Sequence, residues 1–381
     1  MKKILHRAAA GSIRIAGSIA VLSLSVAFSS SKVMASAGTE GASFLDIPVG
    51  AGPAALGSAY TALAANAYAP VWNPAGLGFV NGTELAGQHL SYLESINYEY
   101  LSAVHAFDKP RDSNTTRGIG ISAQYLGTGD IPKTDVQNGS PVDLGSFSSY
   151  YGAYNLSYGQ TLTDKLAVGV TGKLISAKID DVSANAYAAD LGTLYKMNDK
   201  LNLAATVTNL GTKLKFISEG DSLPMSFHLA AAYQPSSHYL VTSEGVYEEN
   251  GLASFRAGAQ WRPLEAIALR AGYRTDTLKG LDALAGVSAG IGITAWGQEL
   301  AYAWVPYGDL GNTQYFSLLV RFGEQEEERR NLIHYQTIKK HRTAQGDKAI
   351  SEPEYQQLMQ LLSDDDTHTA QVGHATDAGN Q

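Results

Sequence analysis

The chain has 381 residues and a net charge of −8, with 36 acidic against 28 basic side chains. No basic cluster is interleaved with aromatics, which excludes a nucleic-acid partner, and the absence of cysteine excludes disulfides and a lipidated N-terminal cysteine. Tyrosine, at 21 residues, is abundant, and it suits both strands and membrane interfaces.

The first element, residues 1–37, reads as a secretory signal peptide. Lys2, Lys3, Arg7 and Arg14 precede an apolar run from Ile15 to Phe28, and Ala35 and Ala37 are small enough for a signal peptidase. At about 14 residues the run is shorter than the roughly 20 that a spanning helix needs. Charged or strongly polar residues interrupt every later window, so the exported chain is either soluble or crosses a membrane as strands.

Residues 38–82 do not alternate. The stretch GPAALGSAYTALAANA, rich in Ala with Pro53 near its start, predicts a short helix, and NPAGLG predicts a turn followed by one more helical turn. Such a segment is too small to fold alone, and its small, nearly uncharged side chains predict a plug packed against a wall of glycines. Its anchor is the run Trp72, Asn73, Pro74, Ala75, Gly76 and Leu77. Pro74 fixes a turn, Asn73 can bond its own backbone there, and Trp72 supplies a large apolar body. Gly76 and Gly78 are expected to permit close packing against the wall.

From residue 83 to 323 the dominant period is two, in units of roughly ten residues and a turn. Ile119, Ile121, Ala123 and Tyr125 fall on one face, and Gly118, Gly120, Ser122 and Gln124 on the other. Val168, Val170 and Leu174 likewise oppose Gly169, Thr171 and Lys173. Segments starting near residues 83, 98, 117, 146, 166, 182, 201, 223, 238, 252, 265, 283, 297 and 312 predict a transmembrane antiparallel β-barrel of about 14 strands. Two features favour it over a secreted soluble β-sandwich that binds a ligand. Aromatics gather near strand ends, as in YYGAYNLSYGQ and AYAWVPYG, and tight turns alternate with long polar loops.

Residues 324–381 form a periplasmic tail in this reading. EQEEERRNLIHYQTIKKHR is a charged helix, and in SEPEYQQLMQLL the capping-box pair Ser351 and Glu354 opens a helix with an apolar stripe of Tyr355, Leu358, Leu361 and Leu362. The stripe predicts a periplasmic partner, and the residues from Ser363 onward read as disordered.

The order of these parts, with LGSAYTALAANAYAPVWNPAGL between a signal peptide and the alternating strands, resembles the PorV/PorQ family of FadL-like outer-membrane β-barrels. Ala65 and Asn66 stand where that family carries an acidic pair, and Ala55 where it carries Arg. The resemblance implies an outer-membrane barrel in contact with lipid, with its N-terminal segment in the lumen. It implies two possible roles: a scaffold for protein export, with exported proteins or secretion components as partners, or a FadL-like channel for a hydrophobic ligand.

Other motifs point away from chemistry. GVSAG, from Gly286 to Gly290, has nucleophile-elbow spacing but continues as a strand with Ser288 inward, and GIGISA from Gly118 lacks the helix and acidic partner of a dinucleotide site. The histidines are scattered, so no metal, cofactor or enzymatic activity is expected. The polar face carries Lys173, Asp190, His228, Glu244, Arg256, Arg270, Arg274, Glu299 and Arg321. Facing charges of mixed sign predict pairing across strands that holds the plug; the sharper alternative makes Arg256, Arg270 and Arg274 contacts for an anionic headgroup.

Overall fold

The computed structural model describes residues 40–92, 96–107, 115–249, 253–276, 283–307 and 311–322. The signal-peptide reading and the tail, including Tyr355, Leu358, Leu361 and Leu362, lie outside the described residues.

Alternation of apolar and polar side chains produces strands wherever it was read. These are β1 (Thr83–Ser91), β2 (Asn97–Phe107), β3 (Arg117–Gly127), β4 (Ile131–Gln137), β5 (Ser140–Phe147), β6 (Ser149–Thr161), β7 (Leu166–Ile179), β8 (Val182–Asn198) and β9 (Leu201–Gly211). They continue with β10 (Leu214–Lys215), β11 (Gly220–Asp221), β12 (Ser226–Ser236), β13 (Tyr239–Glu248), β14 (Ala253–Leu264), β15 (Ile267–Arg274), β16 (Val287–Ala295), β17 (Gln298–Pro306) and β18 (Asn312–Phe322). Fourteen of them close a barrel in the order β1-β18-β17-β16-β15-β14-β13-β12-β9-β8-β7-β6-β3-β2, every neighbour antiparallel. The remaining four form two separate hairpins, β4 with β5 and β10 with β11, within the long polar loops that the sequence predicts.

Burial is inverted relative to a soluble sandwich. Leu101 is 68% and Ile121 59% exposed on the outer face, whereas Gln124 on the inner face is 1% exposed. Leaving such side chains in water forgoes about 1.5–3 kcal/mol each, which only lipid contact recovers. The closed sheet and its apolar exterior therefore remove the soluble β-sandwich alternative.

β1 starts and β18 ends at one rim, where the connections 162–165, 199–200, 237–238, 265–266 and 296–297 are short; the opposite rim carries the long connections 128–148, 212–225 and 275–286. The N-terminal segment runs between these rims. Gly41 N donates to Ser222 O in the long connection between β9 and β12 (2.8 Å), whereas Thr116 Oγ1, beside the start of β3, donates to Gly78 O at the short-turn rim. Between them lie a 3-10 turn Ser43–Asp46, a helix Ala51–Ala55, a helical turn Ala69–Trp72 and a 3-10 helix Pro74–Phe79. The helix starting near Pro53 is shorter than its Ala-rich sequence suggests. Gly57 and Ser58 both turn left-handed, at φ 64° and 63°, and steer the chain onto the wall.

Candidate functional site

The lumen side of the N-terminal segment is organised by Asn73 and Trp72. Asn73 is fully buried; its Oδ1 accepts from Ala75 N (3.1 Å), and its Nδ2 donates to Thr61 O and to Thr193 O on β8, both at 3.1 Å. One amide thus caps the 3-10 helix, ties two turns of the segment together and fastens both to the barrel. Trp72 donates Nε1 to Val49 O (2.8 Å) and stacks edge-on against Tyr60, while Ala75 and Leu77 are completely buried. Pro74 opens the 3-10 helix, where its missing N–H costs nothing.

The wall opposite this run is made of glycine. Gly118 faces Gly159, Gly159 faces Gly169 and Gly169 faces Gly192, a continuous cross-strand row over β3, β6, β7 and β8. A Cβ on these residues would lie 2.4 Å from Leu77 O, 2.3 Å from Pro74 O, 2.3 Å from Pro74 C and 2.2 Å from Asn73 Oδ1, respectively. The pair Gly258 and Gly272, on β14 and β15, does the same for Leu56 and Gly57, at 2.5 Å and 1.9 Å. Gly78 touches the wall, against Gln160 and Thr161 of β6. Gly76 does not: its neighbour is Ala64 O within the segment, where the chain folds back on itself.

The inward charges lie in separate clusters. Lys173 Nζ sits 2.8 Å from Asp190 and 2.7 Å from Asn209 Oδ1, all three buried. Glu244 accepts from Thr61 N (3.1 Å), lies 2.7 Å from His228 Nδ1 and 3.8 Å from Arg256, so it couples the segment to β12, β13 and β14. Arg256 and Arg274 share Asp276, Arg270 pairs with Glu299 (2.7 Å), and Arg321 approaches Glu84 (3.5 Å). Burial pushes the Asp276 carboxyl up, but the two guanidinium groups beside it hold it below the usual carboxylate range. Arg256, Arg270 and Arg274 are thus not assembled as one anion contact: Arg256 of β14 and Arg274 of β15, near the long-loop rim, pair with Asp276, and Arg270 of β15 lies opposite Gln260.

Several anchors escaped the sequence reading. Glu84 accepts from Ala67 N (2.9 Å), Gln88 from Gly50 N, and Ser317 from Ala51 N (3.0 Å). Glu84 and Gln88 share the inward parity of β1, so alternation alone could have placed them; Asp276 lies beyond β15, where no parity operates. Ser288 of GVSAG accepts from Gly57 N and donates to Ala55 O, both at 3.1 Å, as a further anchor. Among the described residues no group of His, Asp or Glu is arranged to hold a metal ion.

Comparison with known proteins gives the same architecture. The structure is similar to the toluene transporter TbuX of Ralstonia pickettii, with a TM-score of 0.50, 14% identity, and coverage of 72% of this chain and 98% of that one. The toluene transporter TodX of Pseudomonas putida aligns with a TM-score of 0.47 at 15% identity, covering 71% and 96%. At 14% identity the likeness to TbuX speaks for the fold alone. No curated protein matches the chain. The family model described as "Type IX secretion system protein PorV" matches residues 30–238, which include the N-terminal segment and the strands through β12. With that match over more than half its length, the chain belongs to the PorV family of outer-membrane β-barrels.

Proposed function

We propose that the protein serves type IX export as a membrane scaffold whose lumen is plugged by residues 38–82 and which works through its rims rather than through a pore. The observation that supports this reading most is the backbone-to-backbone contact of Pro74 with the glycine row, where even a methyl group would collide at 2.3 Å. A segment packed that closely suits a closed barrel. Paired charges in the lumen suit it too, since an apolar solute would have to pass Lys173, Asp190, Glu244 and Arg256. Residues 1–37 act as the export signal, residues 83–323 as the membrane anchor and residues 324–381 as a periplasmic docking tail in this scheme. Ser288 holds the segment in this scheme and does not act as a nucleophile.

The test is crosslinking in the native membrane followed by mass spectrometry of captured proteins and lipids. The scaffold reading expects an exported protein or a secretion component to be captured through the loops or the tail, with capture through the tail lost on truncation after Gly323. Uptake of a hydrophobic solute with no protein captured would overturn it in favour of the channel reading.

A further inference from the structure

Near the long-loop rim, a serine, a histidine and a glutamate are bonded in series on the inner face. Oγ of Ser226, the first residue of β12, lies 2.8 Å from Nε2 of His228, and Nδ1 of the same ring lies 2.7 Å from Oε1 of Glu244 on β13. All three side chains belong to buried residues. A carboxylate only accepts, so Nδ1 carries the proton toward Glu244, and Nε2 of the neutral ring turns its lone pair to the serine. Ser226 then donates to His228 and accepts from Thr208 Oγ1, 2.8 Å away. Glu244 is held in turn, because its Oε2 accepts from Thr61 N.

Holding Thr61 needs Glu244 alone, yet the series runs on through His228 to a hydroxyl that faces a cavity. That cavity, about 60 Å³ in volume, lies against the N-terminal segment, and its lining includes Ser226, His228, Asp46, Trp72, Lys173 and Arg256. Asp46 is exposed, so water reaches it. Lys173 and Arg256 bring positive charge to the space where a carbonyl oxygen becomes negative under attack. Parity puts Ser226 and His228 on one face, but only the register of β12 with β13, Ala230 opposite Glu244, brings the carboxylate to the ring. Scattered histidines in the sequence therefore carry no sign of this arrangement.

We propose that Ser226, His228 and Glu244 form a catalytic triad that hydrolyses short-chain carboxylic esters at the outer end of the lumen. Ser226 Oγ attacks the ester carbonyl carbon while His228 Nε2 takes its proton, and Glu244 positions the ring and stabilises the imidazolium. The carbon–oxygen bond to the alcohol then breaks, and His228 returns the proton to the departing oxygen. Water attacks the acyl-serine in the same way, giving its proton to His228, which restores the Ser226 hydroxyl as the free acid leaves. A volume of about 60 Å³ corresponds to roughly two waters, so the acyl group is short, as in an acetyl ester, and the alcohol stays outside the cavity. The site requires the seated N-terminal segment, which fixes Glu244 through Thr61, but not the export role.

Incubating p-nitrophenyl acetate with the purified full chain in detergent tests this. Saturable release of p-nitrophenolate is expected, with p-nitrophenyl octanoate refused by size, and mass spectrometry of acid-quenched protein should find an acetyl group on Ser226. Ser226→Ala and His228→Gln should each lower turnover about a hundredfold or more while the barrel keeps its heat-dependent gel shift. Should either variant fail to assemble, the position of the acetyl group in the wild-type chain decides by itself. No turnover above the buffer rate, turnover that survives Ser226→Ala, acetylation only at other residues, or octanoate cleaved as fast as acetate would overturn the proposal and leave the three side chains as a latch for the N-terminal segment.

Discussion

The two sides of the lumen hold the same N-terminal segment by different physics. Against β3, β6, β7 and β8 the contact is mostly steric: a row of four glycines brings wall backbone onto the backbone of Pro74 and Leu77 and onto the side chain of Asn73, with hydrogen bonds from Asn73 to Thr193 O and from Thr171 to Pro70 O beside it. Against β12 to β18 the contact is mostly made by side chains that reach inward, including Glu244 to Thr61, Ser288 to Gly57 and Ser317 to Ala51, with glycines at 258 and 272. The first side leaves no room, and the second leaves a cavity of about 210 Å³. Close packing fixes position, whereas hydrogen bonds through side chains can hold a segment and still leave space beside it.

The largest effect is expected where the two modes meet. Replacing Trp72 and Asn73 together by alanine removes an aromatic body, at about 3–5 kcal/mol, strands the buried carbonyl of Thr61 and cuts the tie to Thr193 O on β8. Limited proteolysis should then cut within residues 40–82 while the barrel keeps its heat-dependent gel shift; a segment as resistant as in the wild type would show that the glycine row alone suffices.

Lys173→Ala leaves the buried Asp190 without its cation and should lower stability by about 3–5 kcal/mol, read as the midpoint of urea unfolding in detergent. Combined replacement of Lys173 by Met and Asp190 by Leu should recover most of the loss, and failure to do so would mean that hydrogen bonds to Asn209 carry the cluster.

A matched pair separates steric from intrinsic cost. Gly169→Ala forces a methyl onto Pro74 and should cost about 1–3 kcal/mol, whereas Gly245→Ala on β13 meets nothing within 4 Å and should be neutral. Equal midpoints for the two would remove the steric account of the row. Least of all should Lys133→Ala matter: its pair with Asp180 is exposed, and no shift in the unfolding midpoint is expected.

How much of this was legible in the sequence follows from where one-sided burial acts. The 14 barrel strands start within four residues of the expected positions because each has one face toward lipid and one toward the lumen, as in the alternating burial of β8 and β13. The hairpins β4–β5 and β10–β11 lack that cue: β4 is exposed on nearly every residue, so nothing imposes a period of two. Inward glycines such as Gly118 and Gly120 are visible from parity, but their alignment with Gly159, Gly169 and Gly192 depends on register between strands, which single segments do not encode. The same limit hides the partners of the charges. Arg256 and Arg274 are inward by parity, yet Asp276, which joins them, lies in a connection.

The central claim is that residues 38–82 close the barrel, and single-channel recording of the purified full chain in a planar bilayer tests it most directly. The wild-type protein should show no sustained conductance, and the variant with Trp72 and Asn73 replaced by alanine should open in discrete steps. A wild-type chain that already conducts as an open pore, or a variant that stays as closed as the wild type, would contradict the account.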